Sequence, residues 1–354
     1  MITRKYTRRV IVGGVTIGGG APIAVQSMTN TSTREAEATL AQVAALHEAG
    51  CALVRVTVDT PEALASLPEI ISGSPIPIVA DVHFSARLAI GAVEAGVAKL
   101  RINPGNLPGG EVARVAHACR AHGVPIRVGV NGGSLPADIV KRLGATPEAM
   151  LEAARMHIAL LEAEGFDDII VSLKASDAAR TLAAVRAFAQ VFHYPQHLGV
   201  TEAGLPEEGA VRSAVGLGAM LLDGLGDTLR VSLTGDPIPE VAAAYEILAA
   251  AGLGPPRVEL VSCPTCGRCA WQLEPVARQV RQAIRTLRPS RTVIVAVMGC
   301  VVNGPGEAKE ADIGVAGGAE GAALFQKGMA PRKVPYEGLA ERLIDEVTRI
   351  CAQS

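Results

Sequence analysis

Over about the first 235 residues, short β-branched runs alternate with longer stretches whose apolar positions recur at helical spacing. The runs that read as strands are PIAVQSM (22–28), ALVRVTV (52–58), IPIVADVH (76–83), KLRINP (99–104), PIRVGV (125–130), DIIVSLK (168–174), HLGVTE (197–202) and TLRVSL (228–233). Amphipathic helices are predicted between them, among them Thr33–His47, Pro147–Glu164 and Asp177–Phe192. Eight βα units at regular spacing predict an α/β fold, a closed (β/α)8 TIM barrel rather than an open doubly wound sheet. The opening RRVIVGGVTIGGGAPI reads as a hairpin that plugs the barrel floor; its glycines lack the spacing of a dinucleotide-binding turn. After Ala251 the segment AGLGPPR reads as a linker, and the pattern changes to two strands, a helix, further short strands and a closing helix. The expected domains are therefore a barrel over 1–252 and a small α+β domain over 253–354.

Composition narrows the function classes. Of 354 residues 49% are apolar, enough for a large core, and the formal net charge is -2. No global field draws in nucleic acid or an anionic membrane, so any anion site must be a local concentration of cations. Aromatics make up 3%, too few for the stacking platforms of single-strand binders. The mean hydropathy is +0.30, yet the longest apolar runs, such as Val293–Val302, fall well short of the ~20 residues a bilayer span needs. The basic start MITRKYTRRV runs into a glycine-rich stretch and makes a poor signal core, so a cytoplasmic protein is expected. In a reducing compartment the seven cysteines point to metal or redox chemistry before disulfides. Cys51, Cys119 and Cys351 lie apart in apolar surroundings and read as packing.

Charge inside the strands is the most informative feature of the barrel half. Arg55, Arg101, Arg127 and Arg230 are each flanked by aliphatic residues within a strand run. Helices cover the outer face of barrel strands, so these arginines are expected to point into the barrel mouth. A buried unpaired guanidinium costs several kcal/mol, on the order of a whole domain's margin of stability. Acids near strand ends are few, Asp81 and Glu202, and with Lys174 the cations outnumber them. Internal salt bridges are the plain alternative, but guanidinium forks suit phosphate oxygens, and barrel enzymes do their chemistry at the carboxyl ends of the strands. His83, Asn103, Asn131 and Ser232 keep the same period-two phase and are expected to line the mouth.

The second concentration of chemistry is cysteine. Cys263 and Cys266 form a CPTC loop, and either Cys269 or Cys300 could be a third ligand. All four together could instead hold structural zinc. A CxxC is moderate evidence by itself, whereas CxxC with a distant Cys-x6-Glu is far rarer. The pair SCPTCGR and MGCVVNGPGEA, with QSMTNT, VRVTV, ADVHF, KLRINPGN, IRVGVN, SLKAS, GVTEAG and LRVSLTGDP in order, resembles the IspG/GcpE family of 4-hydroxy-3-methylbut-2-enyl diphosphate synthases. The resemblance covers nearly the whole chain, and the cluster motifs are its most specific part.

That resemblance implies an iron–sulfur oxidoreductase of the non-mevalonate isoprenoid pathway. It would open 2-C-methyl-D-erythritol 2,4-cyclodiphosphate reductively, with electrons from reduced flavodoxin or ferredoxin. It implies one [4Fe–4S] cluster held by Cys263, Cys266 and Cys300, with Glu307 as an oxygen ligand and Cys269 outside the set. It gives the diphosphate to Arg55, Arg101, Arg127, Arg230, Lys174, Asn131 and Ser232, with His83 nearby. Asp81 and Glu202 remain as acid–base candidates, Glu202 the better. It further implies a homodimer in which one subunit's cluster domain closes the other's barrel.

Overall fold

The computed structural model describes residues 2–353 apart from 108–109, 202–203, 270, 301–305, 307 and 319. The chain forms two compact units, Met1–Gly254 and Pro255–Ser354.

The first unit opens with a hairpin, β1 (Val10–Val12) and β2 (Val15–Ile17), paired antiparallel. Gly13 and Gly14 make its two-residue turn with φ of 53° and 89°, which side-chain-bearing residues rarely adopt. A Cβ on Gly13 would lie 2.7 Å from Pro77 Cβ, so glycine also permits the close approach to the barrel.

Eight strands follow: β3 (Ala24–Met28), β4 (Leu53–Thr57), β5 (Ile78–Asp81), β6 (Lys99–Ile102), β7 (Ile126–Asn131), β8 (Ile169–Lys174), β9 (His197–Leu198) and β10 (Thr228–Leu229). All are parallel, in the order β8-β7-β6-β5-β4-β3-β10-β9. A bridge between Val171 and Gln196 brings the two ends of that order together. The helices are α1 (Ala36–Glu48), α2 (Pro61–Gly73), α3 (Ala86–Glu94), α4 (Glu111–His122), α5 (Ala137–Leu143), α6 (Pro147–Glu162), α7 (Ala178–Val191), α8 (Pro206–Leu222) and α9 (Ile238–Ala250). Their starts are legible in the sequence. Thr60 and Thr146, each before Pro-Glu, accept hydrogen bonds from Ala63 N and Ala149 N, both 3.2 Å, and such caps contribute about 1 kcal/mol each.

Strand alternation sorts the barrel's residues into two environments. Val25, Val54, Val56, Ala80, Leu100, Ile102, Ile126, Val128, Val171 and Leu173 pack outward into one core beneath the helices. Ala24, Leu53, Val79 and Ile170, on the alternate phase, pack against Val10, Val12 and Ile17 of the hairpin. The hairpin therefore seals the barrel floor, as its sequence predicts.

Two predicted strands are shorter than expected. HLGVTE and TLRVSL contribute only two ladder residues each in β9 and β10. Beyond Arg230 the backbone leaves the ladder because Leu233 N donates to the Glu240 side chain, 3.0 Å, instead of to a strand.

The second unit holds a five-stranded sheet in sequence order. Its strands are β11 (Val258–Ser262), β12 (Val293–Met298), β13 (Ile313–Gly318), β14 (Gly321–Gln326) and β15 (Arg332–Val334). The first three are parallel and the last two antiparallel. Helix α10 (Leu273–Ile284) and the closing helix Leu339–Gln353 share a core with the sheet through Val280, Ile284, Leu343 and Val347. No described helix is long and apolar enough to cross a membrane.

Candidate functional site

Beside and above the apolar floor, on the same inward phase, the barrel interior turns polar. Gln26, Lys99, Arg127, Ser172, His197 and Thr228 are all buried there. Lys99 Nζ donates to Gln26 Oε1 at 3.0 Å, joining β6 to β3, strands that are not neighbours, so the contact crosses the interior. Arg127 is 1% exposed and donates through Nη1 to Ser172 Oγ at 2.7 Å. Among the described residues its Nε and Nη2 have no partner, nor do Gln26 Nε2 and His197 Nε2.

The next row is where the remaining arginines meet their acids. Asp81 accepts from Arg101 Nη1 at 3.0 Å and pairs with Arg55 Nε at 3.5 Å. His83, with 39% of its side chain exposed, lies 3.4 Å from the same carboxylate and also contacts Arg101 Nη1. Arg230 is gripped through Nε and Nη2, each 3.1 Å, by the two oxygens of Glu240. Arg55 and Arg230 also converge on the sulfur of Met28, with Arg55 Nη2 at 2.9 Å and Arg230 Nη1 at 3.4 Å.

Two glycines make room for this crowd. Gly129 of β7 occupies an inward position, and a Cβ there would lie 2.8 Å from Arg101 Nη2. A Cβ on Gly199, just past β9, would lie 2.9 Å from Lys174 Cε.

The four strand arginines thus point inward, as expected. Asn131 ends β7 level with Lys174, and Ser232 lies half-buried beyond β10. Asn103 is buried, but its Oδ1 accepts from Gly105 N at 3.2 Å and caps the 3-10 turn Pro104–Asn106. Glu202 lies outside the described residues. The expected tally of acids needs correction: Glu240, from the first turn of α9, is a buried partner that the strand-end search missed. Arg230 is consequently neutralised from within. Lys99 was missed too, although it shares the phase of Arg101. Among the described residues, six buried or half-buried cations (Arg55, Lys99, Arg101, Arg127, Lys174, Arg230) face two carboxylates, Asp81 and Glu240.

Proton affinities follow from that imbalance. Burial pushes Lys99, Lys174 and Arg127 well below their ordinary values, and neighbouring guanidinium groups push the same way. Burial, with Lys174 and Arg127 close by, likewise keeps His197 neutral. Arg55 is pushed down to about 10 by burial against the opposing pull of Asp81. Burial alone would raise Asp81, but Arg55, the bond to His83, and Arg101 outweigh it and hold the carboxyl far below its usual range.

In the second unit, Cys263 follows β11 and Cys300 lies two residues beyond β12, its parallel neighbour. Cys263 N donates to Val297 O at 3.1 Å. Thr265 takes a left-handed φ of 49°, and Cys269 N closes the loop on Cys266 O at 2.9 Å. A Cβ on Gly299 would lie 3.1 Å from Cys269 Sγ and 3.4 Å from Cys263 Sγ, so the chain entering Cys300 runs beside both sulfurs. Cys269 Sγ itself donates to Trp271 O at 3.4 Å. All four thiols are exposed or half-buried. By contrast, Cys51 and Cys119 are buried, and burial pushes them up to about 11 and about 12, which keeps them as inert thiols. Among the described residues, no three histidine, cysteine or acidic side chains are gathered tightly enough to hold a metal ion. The donor chemistry nonetheless suits soft iron: accessible thiols carried to one end of a sheet by adjacent strands. Glu307 lies outside the described residues.

Comparison with known proteins gives this pairing of units its family. Residues 7–245 match the family model of the GcpE TIM-barrel domain, and residues 259–349 match that of the GcpE protein C-terminal domain. The chain belongs to the GcpE family. A relative from Maridesulfovibrio salexigens is 53% identical over 336 residues, covering 94% of this chain and 93% of that protein. One from Geobacter sulfurreducens is 51% identical over 354 residues, covering 99% of each. Both are named 4-hydroxy-3-methylbut-2-en-1-yl diphosphate synthase (flavodoxin). Among solved structures, a dihydropteroate synthase from Stenotrophomonas maltophilia aligns at a TM-score of 0.52 with 18% identity, over 69% of this chain and 98% of that one. That likeness concerns the barrel fold alone. This GcpE chain thus carries both the TIM barrel and the C-terminal domain of its family.

Proposed function

We propose that this GcpE protein converts 2-C-methyl-D-erythritol 2,4-cyclodiphosphate to (E)-4-hydroxy-3-methylbut-2-enyl diphosphate, the product for which its relatives are named. The observation that carries the reading is the buried cationic interior, whose cations outnumber their carboxylates and whose Arg127 keeps two nitrogens unpartnered. A diphosphate is the guest that balances such charge, and guanidinium groups bind its oxygens in pairs. Arg55, Arg101, Arg127 and Lys174 would hold it, with Arg230, Asn131 and Ser232 at the rim and His83 beside Asp81.

The reaction consumes two electrons and two protons, breaks the ring's C–O bond to phosphate and expels one hydroxyl as water. The cationic row stabilises the diphosphate as its charge localises on leaving. Glu202 would protonate the departing hydroxyl, and Asp81, held as a carboxylate, orients Arg55 and Arg101. Cys263, Cys266 and Cys300, with Glu307, would hold a [4Fe–4S] cluster, which when bound supplies electrons singly from reduced flavodoxin or ferredoxin. Because the barrel and cluster units belong to one short-linked chain, a homodimer would let each cluster domain close its partner's barrel. A cytoplasmic setting keeps the thiols reduced.

Anaerobic turnover of the cyclodiphosphate with a strong one-electron reductant tests the proposal. Formation of the linear diphosphate is expected; a colourless protein holding zinc, with no iron, sulfide or turnover, would overturn it. The closeness of Cys269 to Cys263 across Gly299 is what favours that zinc outcome as the second reading.

A further inference from the structure

We infer that Glu240 is a positioning residue for diphosphate binding, holding Arg230 so that its outer Nη1 edge is presented to the barrel interior beside Arg55. The inference rests on the diphosphate reading above. Glu240 is the third residue of α9, ten positions from Arg230 in sequence, and only 2% exposed. Its Oε1 accepts from Arg230 Nη2 at 3.1 Å and from Leu233 N at 3.0 Å. Its Oε2 accepts from Arg230 Nε at 3.1 Å and from Ser27 Oγ at 3.0 Å. Two donors on each oxygen leave the carboxylate no freedom to turn, and the guanidinium plane is fixed with it.

What remains of Arg230 is its outer edge, both N–H groups of Nη1 and the second of Nη2, and Nη1 lies 3.4 Å from Met28 Sδ. The same sulfur takes Arg55 Nε at 3.1 Å and Nη2 at 2.9 Å. A thioether is a weak acceptor, so both guanidinium edges retain capacity for a stronger, anionic one. Glu240 therefore sacrifices half of one fork to aim the other half.

A counterweight and a positioning residue differ in sign. If Glu240 only offset charge, removing it would leave a more positive interior and tighter anion binding. If it aims Arg230, removing it should weaken binding of a two-phosphate ligand.

The test is calorimetric titration of the full-length protein, purified without oxygen, with inorganic pyrophosphate. Glu240→Gln should weaken binding about tenfold or more, the range of a charge-assisted bond pair. Arg230→Met should weaken it similarly, and the double variant no further than Arg230→Met alone. With the cyclodiphosphate, the Glu240→Gln loss should fall on KM more than on kcat. Unchanged or tighter pyrophosphate binding by Glu240→Gln, or fully additive losses, would overturn the inference while leaving the diphosphate reading intact. Should Glu240→Gln fail to fold, Ser27→Ala removes one anchor alone; it should weaken binding about twofold, and unaltered binding would overturn the inference. Failure of the wild-type protein to bind pyrophosphate would overturn both this inference and the function it rests on.

Discussion

Replacing Arg127 by methionine should make the ligand-free protein more stable and unable to hold a diphosphate. Arg127 is buried to 1% exposure and, among the described residues, donates only to Ser172 Oγ and leaves Nε and Nη2 unpartnered. Each orphaned buried donor costs about 1–3 kcal/mol. Substituting an apolar chain of similar length for a buried ionic group is typically neutral to stabilising by about 1–4 kcal/mol. Ser172 retains a bond to Val128 O at 3.4 Å, so the substitution strands little. In a unit of this size each kcal/mol moves Tm by about 2–4 °C, so scanning calorimetry of the ligand-free protein should resolve the gain. Pyrophosphate should raise the Tm of the wild type and leave that of Arg127→Met unmoved. If Tm falls on substitution, Arg127 is serving the fold rather than waiting for an anion, and the charge argument fails.

Further outcomes concern pH, Asp81 and the cysteines. Lys99 and Lys174 hold protons less tightly folded than unfolded, so the unfolded chain binds more protons and stability should rise with pH. The rise spans the window from their lowered folded values to the ordinary 10.5. Tm measured between mildly acidic and alkaline pH should climb and should flatten in Lys99→Met; a falling profile would contradict the burial of uncompensated lysines. Asp81→Asn strands Arg55 and Arg101 and should cost about 3–5 kcal/mol in denaturant titrations; a loss below about 1 kcal/mol would show that the pairs are dispensable. Cys300→Ala should lose iron–sulfur absorbance after anaerobic reconstitution while Cys269→Ala keeps it, and the reverse result would reassign the third thiolate.

Much of this was readable from strand phase. An arginine between aliphatic residues in a barrel strand has one inward side available, and Arg55, Arg101 and Arg127 follow from that alone. Lys99 obeys the same rule, but it stands at the start of its run, within which an aliphatic residue flanks it on one side only. Glu240 was not legible: an acid in the first turn of a helix ordinarily serves the helix dipole. Only tertiary closure between β10 and α9 turns it toward Arg230. The brevity of β10 was hidden for the same reason, since the Glu240 side chain takes the Leu233 backbone donor. Gly129 and Gly199 gave no local signal, because their purpose is to leave space for residues on other strands.

A floor stoppered by the glycine-turned hairpin has one further result. Among the described residues the hairpin closes the floor, so the guanidinium lining is reached from the carboxyl ends of the strands, and whatever enters there departs by the same route. Incoming and finished molecules cannot pass through in line. They take turns at one threshold, and the linear product should behave as a rival for entry rather than as a passenger leaving by a back exit.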